Sequence, residues 1–179
     1  MKIEDELYRL KGEPKISLVL PGLGSVRFDV FSNARAIEEV FIVAREVMTV
    51  VLRLSARDWE ELDVIVAKLP MEFVQRFAPL SNSESDDKWL RLWRAANASE
   101  KKLMEDTRGW QIEEWLHWMK PDERAWFWWD AVVLNQSRGK VAVAVQSWPF
   151  PWGSIKHLLL ASGATIVEPE KRKTGDAIS

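Results

Sequence analysis

The chain has 179 residues, with 25 basic and 27 acidic side chains and no cysteine. This length predicts one domain that can bury an adequate hydrophobic core without disulfides or metals. The absence of cysteine excludes thiol catalysis, zinc–thiolate centres and disulfide bonds. The nearly balanced charge offers no dominant basic surface for phosphate backbones, so nucleic acid is not an expected partner.

Neither a leader nor a membrane span is expected. The start, MKIEDELYRL, carries acidic residues where a signal peptide needs an apolar run. No charge-free apolar stretch reaches the ~18 residues of a transmembrane helix. We therefore expect a cytoplasmic protein. The outlier in the composition is tryptophan, with 11 residues against one tyrosine, and tryptophan is enriched where two proteins meet.

The first half of the chain alternates between strand and helix signals. Residues 15–31 predict two short strands joined by a Pro-Gly turn, and Ser32 or Asn33 suits the cap of a following helix. Apolar residues then recur at helical spacing, but 48–54 also alternates as a β-branched strand. We predict a helix over 33–46, a strand over 48–54 and a helix over 56–68, with one helix through 33–54 as the alternative.

The middle of the chain predicts helices. A helical turn or two follows Pro70, and residues 78–87 form a polar link. An amphipathic helix then carries apolar residues on one face and ends near Gly109; its apolar residues are Trp89, Leu92, Trp93, Ala96 and Leu103. A short helix buries Ile112, Trp115, Leu116 and Met119 and stops at Pro121.

The last third predicts a hairpin, a helix and a strand. Residues 126–134 and 140–145 alternate with period two and are joined by a loop over 135–139. Two prolines in WPFPWGS (148–154) stop the ladder, and SIKHLLLAS forms a helix that ends at Gly163. ATIVEP is a final strand, and residues 170–179 are a charged, flexible tail. The pattern predicts one α+β domain over 1–169, with a small, mostly antiparallel sheet and a C-terminal hairpin packed by several helices.

The hairpin contains an unusual aromatic segment, AWFWWDAVVL (125–134). If Leu134 lies opposite Lys140, one face holds Phe127, Trp129, Ala131 and Val133 and belongs to the core. The other face holds Trp126, Trp128 and Asp130, opposite Trp148, Gln146 and Ala144, and forms a presented surface. Two alternatives stay open: helices cover this second face as well, or residues 121–129 are helical.

A second candidate surface lies on the short helix. With the apolar residues inward, Trp110, Glu114, His117 and Trp118 point away from the core. Acidic residues interleaved with aromatic ones suit a basic protein partner. The predicted partner-binding residues of both surfaces are Trp126, Trp128, Asp130, Trp148, Trp110, Glu113, Glu114 and Trp118.

No catalytic or metal-binding constellation stands out. His117 and His157 lack a second histidine at ligand spacing, so we expect no metal and no cofactor. PGLGS (21–25) lacks the third glycine of a dinucleotide loop, because Arg27 stands there. We expect a protein that is not an enzyme; the alternative is a site assembled from His117, Glu113 and Asp130.

Three segments, AWFWWDAVVL, WPFPWGS and the acid-flanked WQIEEWLHW (110–118), give the chain its character. A small, cysteine-free, mildly acidic, tryptophan-rich α+β chain resembles the immunity proteins of bacterial polymorphic-toxin and contact-dependent-inhibition systems. The resemblance implies a cytoplasmic protein that binds and blocks one cognate toxin domain. No motif aligns, so no family residue is carried over.

Two functions follow from these patterns. As an immunity protein, the chain would bind a toxin domain with a basic surface, and Trp128→Ala would weaken binding while leaving the thermal midpoint almost unchanged. As the alternative, the tryptophans line the pocket of a sensor for a small molecule or peptide.

Overall fold

The computed structural model describes residues 2–12, 24–55, 59, 61–78, 83–101, 104, 109–147 and 149–170. Within them the chain forms an α+β domain, as predicted. The helices are α1 (Ile3–Leu10), α2 (Ile37–Ser55), α3 (Leu62–Val66), α4 (Met71–Val74), α5 (Ser83–Ala95), α6 (Ile112–His117) and α7 (Gly153–Ala161). The strands are β1 (Gly24–Phe31), β2 (Trp126–Asn135), β3 (Arg138–Val145) and β4 (Ile166–Pro169).

The four strands form one antiparallel sheet in the order β2-β3-β1-β4. The predicted hairpin is confirmed as β2 and β3, and the predicted final strand is confirmed as β4. The connection is a two-residue turn at Gln136 and Ser137 rather than the five-residue loop predicted. This turn is fixed to the start of α2, because the Ile37 N–H donates to the Gln136 carbonyl at 2.9 Å.

Helix α2 replaces the predicted helix over 33–46 and strand over 48–54. The alternative of one helix is correct, although it begins at Ile37 rather than at residue 33. Its buried side chains continue at helical spacing to the end: Ile37, Val40, Phe41, Val43, Ala44, Val47, Met48, Val51, Leu52 and Leu54. Tertiary burial of this stripe outweighs the strand preference of the β-branched residues. The Ser32 hydroxyl bonds to the carbonyls of Arg35 and Gly163 and does not cap the helix.

The remaining helix predictions are partly confirmed. The turn after Pro70 is α4, and α3 lies within the predicted helix over 56–68, of which 56–58 and 60 fall outside the described residues. The predicted first strand, 15–20, falls outside them as well. The amphipathic helix is shorter than predicted, because α5 ends at Ala95. Asn97 and Glu100 then exchange backbone-to-side-chain hydrogen bonds of 2.8 and 3.0 Å, which caps a new helical start.

The predicted faces of β2 are wrong for its first four residues. Trp126 lies opposite Val145 and Trp128 opposite Val143, whereas Asp130 lies opposite Ala142. The register therefore shifts between Trp128 and Asp130, as in a β-bulge. One extra residue reverses the alternation of side chains, because successive strand residues point to opposite faces. As a result Trp126 and Trp128, rather than Phe127 and Trp129, enter the core ahead of Ala131.

Helix α1 is held on the outer edge of β2 by a buried ion pair. Both carboxylate oxygens of Glu6 accept hydrogen bonds from the Arg124 guanidinium, at 2.6 and 2.8 Å. Glu6 also accepts from the Trp128 backbone N–H at 2.6 Å. One turn further, the Arg9 guanidinium lies 3.3 Å from the centroid of the Trp129 ring. These contacts satisfy an edge N–H and cover the part of the edge nearest α1.

The C-terminal boundary differs by one residue from the prediction. Glu170, predicted to begin the flexible tail, donates its N–H to the Arg27 carbonyl at 2.8 Å. Its carboxylate also pairs with Lys140. Glu170 thus extends the contact of β4 with β1. Residues 171–179, the rest of the predicted tail, lie outside the described residues. No helix within the described ranges is long and apolar enough to cross a membrane.

Candidate functional site

Two of the predicted surface residues are core residues instead. Trp126 and Trp128 are each 0% exposed. The Trp126 indole N–H donates to the Ser154 hydroxyl at 2.8 Å, and the Trp115 indole donates to the Ser154 carbonyl at 2.9 Å. The bulge in β2 is the physical reason, because it moves Trp126 and Trp128 onto the core face itself, an outcome that neither the predicted surface nor its two alternatives described. Neither side chain is available for a partner in this conformation.

The other hairpin predictions have mixed outcomes. Asp130 is half-buried on β2 and lies after the register shift, whereas Trp126 and Trp128 lie before it. Trp148 lies outside the described residues, so its predicted role stays a prediction. The structure therefore does not place Trp126, Trp128, Asp130 and Trp148 on one presented surface.

The short helix α6 follows the prediction more closely. Ile112, Trp115, Leu116 and Met119 are buried. Glu113 and His117 are exposed, and Trp118 is 37% exposed. Glu114 is half-buried, and its carboxylate accepts the Gln111 N–H at 3.2 Å as part of a capping box. Glu114 therefore has a structural function in starting α6.

Trp110 lies in a contact that the sequence did not predict. Its ring stacks on the His157 ring, with centroids 4.4 Å apart and planes 19° from parallel. The backbone before α6 is held in place because the Ala78 N–H donates to the Trp110 carbonyl at 2.9 Å. Gly109 has a φ of +69°, a left-handed conformation that glycine adopts without strain. This turn directs the chain into the stacked position.

The Trp110–His157 stack forms part of an open groove of about 570 Å³. One wall is α7 with its preceding loop, and the other is the segment that leads into α6. The lining residues are Gly109, Trp110, Phe150, Pro151, Trp152, Gly153, Lys156, His157 and Leu160. We call this the aromatic groove. Its volume lies in the range of roughly 300–1,000 Å³ that is typical of ligand sites.

The local sequence explains why the groove forms. Pro149 and Pro151 lack the N–H of a ladder residue, so the chain leaves the sheet after β3 and turns. Helix α7 buries Ile155, Leu158 and Leu159. The opposite face of α7, with Lys156, His157 and Leu160, lines the groove. Trp152 packs against Phe28 of the sheet, with ring centroids 5.7 Å apart, which anchors the groove to the core.

The groove has a neutral imidazole and a positive charge side by side. Burial, reinforced by the charge of Lys156, lowers the pKa of His157 to about 4. His157 is therefore neutral at pH 7 and stacks as a flat ring. The Lys156 ammonium lies 5.7 Å from the centroid of the Trp152 ring. No carboxylate of the described residues forms an ion pair with Lys156. The groove thus offers flat aromatic surfaces beside one cation.

We expect the free energy of unfolding to decrease as the pH is lowered, because His157 takes up a proton less readily in the folded protein than in the unfolded chain. Its folded pKa, about 4, is below the ordinary value of 6.5, so the unfolded chain binds more protons between these values. The free energy of unfolding is then constant with respect to this group above pH 6.5 and decreases as the pH falls toward 4. Urea unfolding at pH 7 and pH 5 should show a larger loss for the parent than for His157→Gln. Equal losses would contradict the assignment.

Within the described ranges no cluster of three or more His, Asp or Glu side chains could hold a metal ion. His117 is exposed and contacts the ring of Trp118, with centroids 5.6 Å apart. The pairing of His117 with Glu113 and Asp130 in an active site remains an untested prediction.

Comparisons with protein-family models, with curated proteins and with solved structures find no match for this chain. The site is therefore described by its own geometry. Sequence reasoning missed Phe150, Trp152, Lys156, His157 and Leu160 as groove residues. The available signal was the pair of prolines in WPFPWGS, which predicts a turn beside a helix. The contact of His157 with Trp110, 47 positions away, has no local signal.

Proposed function

We propose that this chain is a binding protein and that the aromatic groove receives a segment of a protein partner. The observation that carries the proposal is the groove itself, an open cavity of about 570 Å³ between α7 and the segment before α6. Tryptophan side chains provide much of the binding energy of protein interfaces, since they bury a large area with few rotatable bonds. Trp110 and Trp152, 42 positions apart in the sequence, both line this cavity.

Helix α6 extends the proposed contact surface. It begins two residues after Trp110 and presents the exposed carboxylate of Glu113 and the partly exposed ring of Trp118. An acid beside an aromatic ring favours a partner with a basic surface, by steering its approach and by pairing at the rim. The predicted anchors Trp110, Glu113 and Trp118 thus remain in the proposal, whereas Trp126 and Trp128 do not.

Together with the resemblance to immunity proteins, these features lead us to propose a specific class of partner. The partner is a toxin domain with a basic surface, and the complex forms in the cytoplasm. Inhibition acts by occlusion, because the bound protein covers the active site of the toxin or its path to substrate. This mechanism requires no catalytic group on the chain.

The proposal is tested by capture of the partner from lysates of the source organism with matched variants. We compare the parent, the groove variant Lys156→Glu, the α6 variant Glu113→Lys and the control Lys11→Glu, directly after α1. All three positions are at least partly exposed, so each variant should fold. We expect one basic protein to be captured by the parent and the control, and to be lost or strongly reduced with Lys156→Glu and Glu113→Lys. Undiminished capture by both variants would overturn the proposal.

A further inference from the structure

The aromatic groove differs in charge from the exposed carboxylate of Glu113 on α6. Lys156 lies on the face of α7 that lines the groove, and among the described residues it forms no ion pair. His157, the other titratable residue among the described groove residues, is half-buried and stacked on Trp110. The described lining residues include no acid. Among the described lining residues, Lys156 therefore supplies the one positive charge, and it lies among aromatic rings.

Two kinds of contact are available to an occupant at once. The rings of Trp110, His157 and Trp152 favour a flat apolar group, because offset stacking adds to the free energy of burial. The Lys156 ammonium favours an anionic oxygen, since a charge-assisted hydrogen bond in a partly enclosed site is stronger than a neutral one. The two groups must lie close together, because the Lys156 ammonium is only 5.7 Å from the Trp152 ring centroid.

We infer that the groove recognises an aromatic residue adjacent to a carboxylate in an extended segment of the partner. The inference rests on the proposed function and specifies the two side chains of the partner, one aromatic and one acidic, that the groove binds. The open form of the groove allows a chain to enter and leave, as a segment requires. The aromatic ring occupies the space between Trp110 and Trp152, and the neighbouring Asp or Glu reaches Lys156. The contact of Glu113 with basic residues is separate from this pairing.

The test is isothermal titration of the full chain with capped, unlabelled hexapeptides that differ only in a central pair. The peptides carry Phe-Asp, Phe-Asn, Ala-Asp or Phe-Lys, and phenylacetate serves as a small aromatic anion. Millimolar peptide concentrations are used because a single short segment binds weakly. We expect Phe-Asp to bind about five- to tenfold more tightly than Phe-Asn, and Ala-Asp and Phe-Lys to bind most weakly.

The matched variants are Lys156→Gln in the groove and Lys11→Gln directly after α1, with circular dichroism as the check of folding. We expect Lys156→Gln to bind Phe-Asp and Phe-Asn equally, and Lys11→Gln to keep the preference. Equal binding of all Phe peptides to the parent would overturn the anion pairing and leave the groove as a binding site. If phenylacetate bound as tightly as the Phe-Asp peptide, recognition of an extended protein segment would be overturned, and a small-molecule sensor would be favoured. Binding of no probe would overturn the inference, whereas failure of the proposed function appears separately in the capture experiment.

Discussion

Glu6→Gln is expected to lower the free energy of unfolding by about 3–5 kcal/mol, the cost of removing one member of a buried ion pair. The side chains of Glu6 and Arg124 are 1% and 6% exposed, so water cannot solvate the guanidinium that remains. The glutamine also weakens the acceptor of the Trp128 N–H, because a neutral amide accepts less strongly than a carboxylate. Urea denaturation with far-ultraviolet circular dichroism measures the change.

The control is Glu4→Gln, an exposed acid on the same helix, which should change stability by less than about 0.5 kcal/mol. The double variant Glu6→Leu with Arg124→Met separates charge burial from loss of packing. Replacement of both ions by apolar side chains removes the desolvation cost on both sides and should restore much of the loss. A Glu6→Gln variant as stable as the Glu4→Gln control would show that α1 does not depend on this pair.

Trp128→Ala is expected to lower the free energy of unfolding by about 3–5 kcal/mol, the usual cost of truncating a buried tryptophan. The side chain is 0% exposed and belongs to the core cluster that also includes Val143. The thermal midpoint should fall by about 10 °C or more, given the size of the chain. This reverses the expectation from sequence, in which Trp128→Ala left the thermal midpoint almost unchanged.

Trp118→Ala is the matched control, because the Trp118 ring is 37% exposed and contacts the ring of the exposed His117. We expect a stability change below about 1 kcal/mol for this variant. Differential scanning calorimetry of both variants gives the comparison. Thermal midpoints of Trp128→Ala and Trp118→Ala that both lie close to that of the parent would contradict the β-bulge. They would favour the regular register of β2 that was predicted from the sequence.

Sequence patterns predicted the elements better than their faces. The hairpin, α6, α7 and β4 each follow a local signal: period two, period 3.6, or a proline and glycine at the ends. The bulge near Trp129 has no such signal, because three tryptophans in four positions fit either face equally well. One inserted residue was enough to move Trp126 and Trp128 from the predicted surface into the core.

The long helix α2 also shows that local patterns can be ambiguous, in this case about the type of element. Residues 48–54 contain β-branched side chains that alternate with period two, and the prediction of a strand there was wrong. The same residues also continue the helical stripe begun by Ile37 and Val40. Only the packing of that stripe in the shared core decides between the two patterns.

The candidate site could be predicted from the sequence only in part. Exposure of His117 and Trp118 follows from helical spacing and was predicted, whereas Glu114, predicted to point outward with them, is half-buried. The groove depends on contacts between distant segments, of which the Trp110–His157 stack and the Trp152–Phe28 packing are examples. Composition indicated that tryptophan is prominent in this chain, but tertiary structure determines which tryptophans line a cavity.

Amide hydrogen exchange of the chain with and without its captured partner most directly tests binding through the aromatic groove. The connecting segments 109–111 and 149–152 lie outside the longer helices, and their amides at Gly109, Trp110 and Trp152 should exchange readily in the free protein, whereas Pro149 and Pro151 have no N–H. We predict that the partner slows exchange in both segments together. Protection confined to residues 132–135 at the tip of β2, with 109–111 and 149–152 unchanged, would contradict the groove as the binding site.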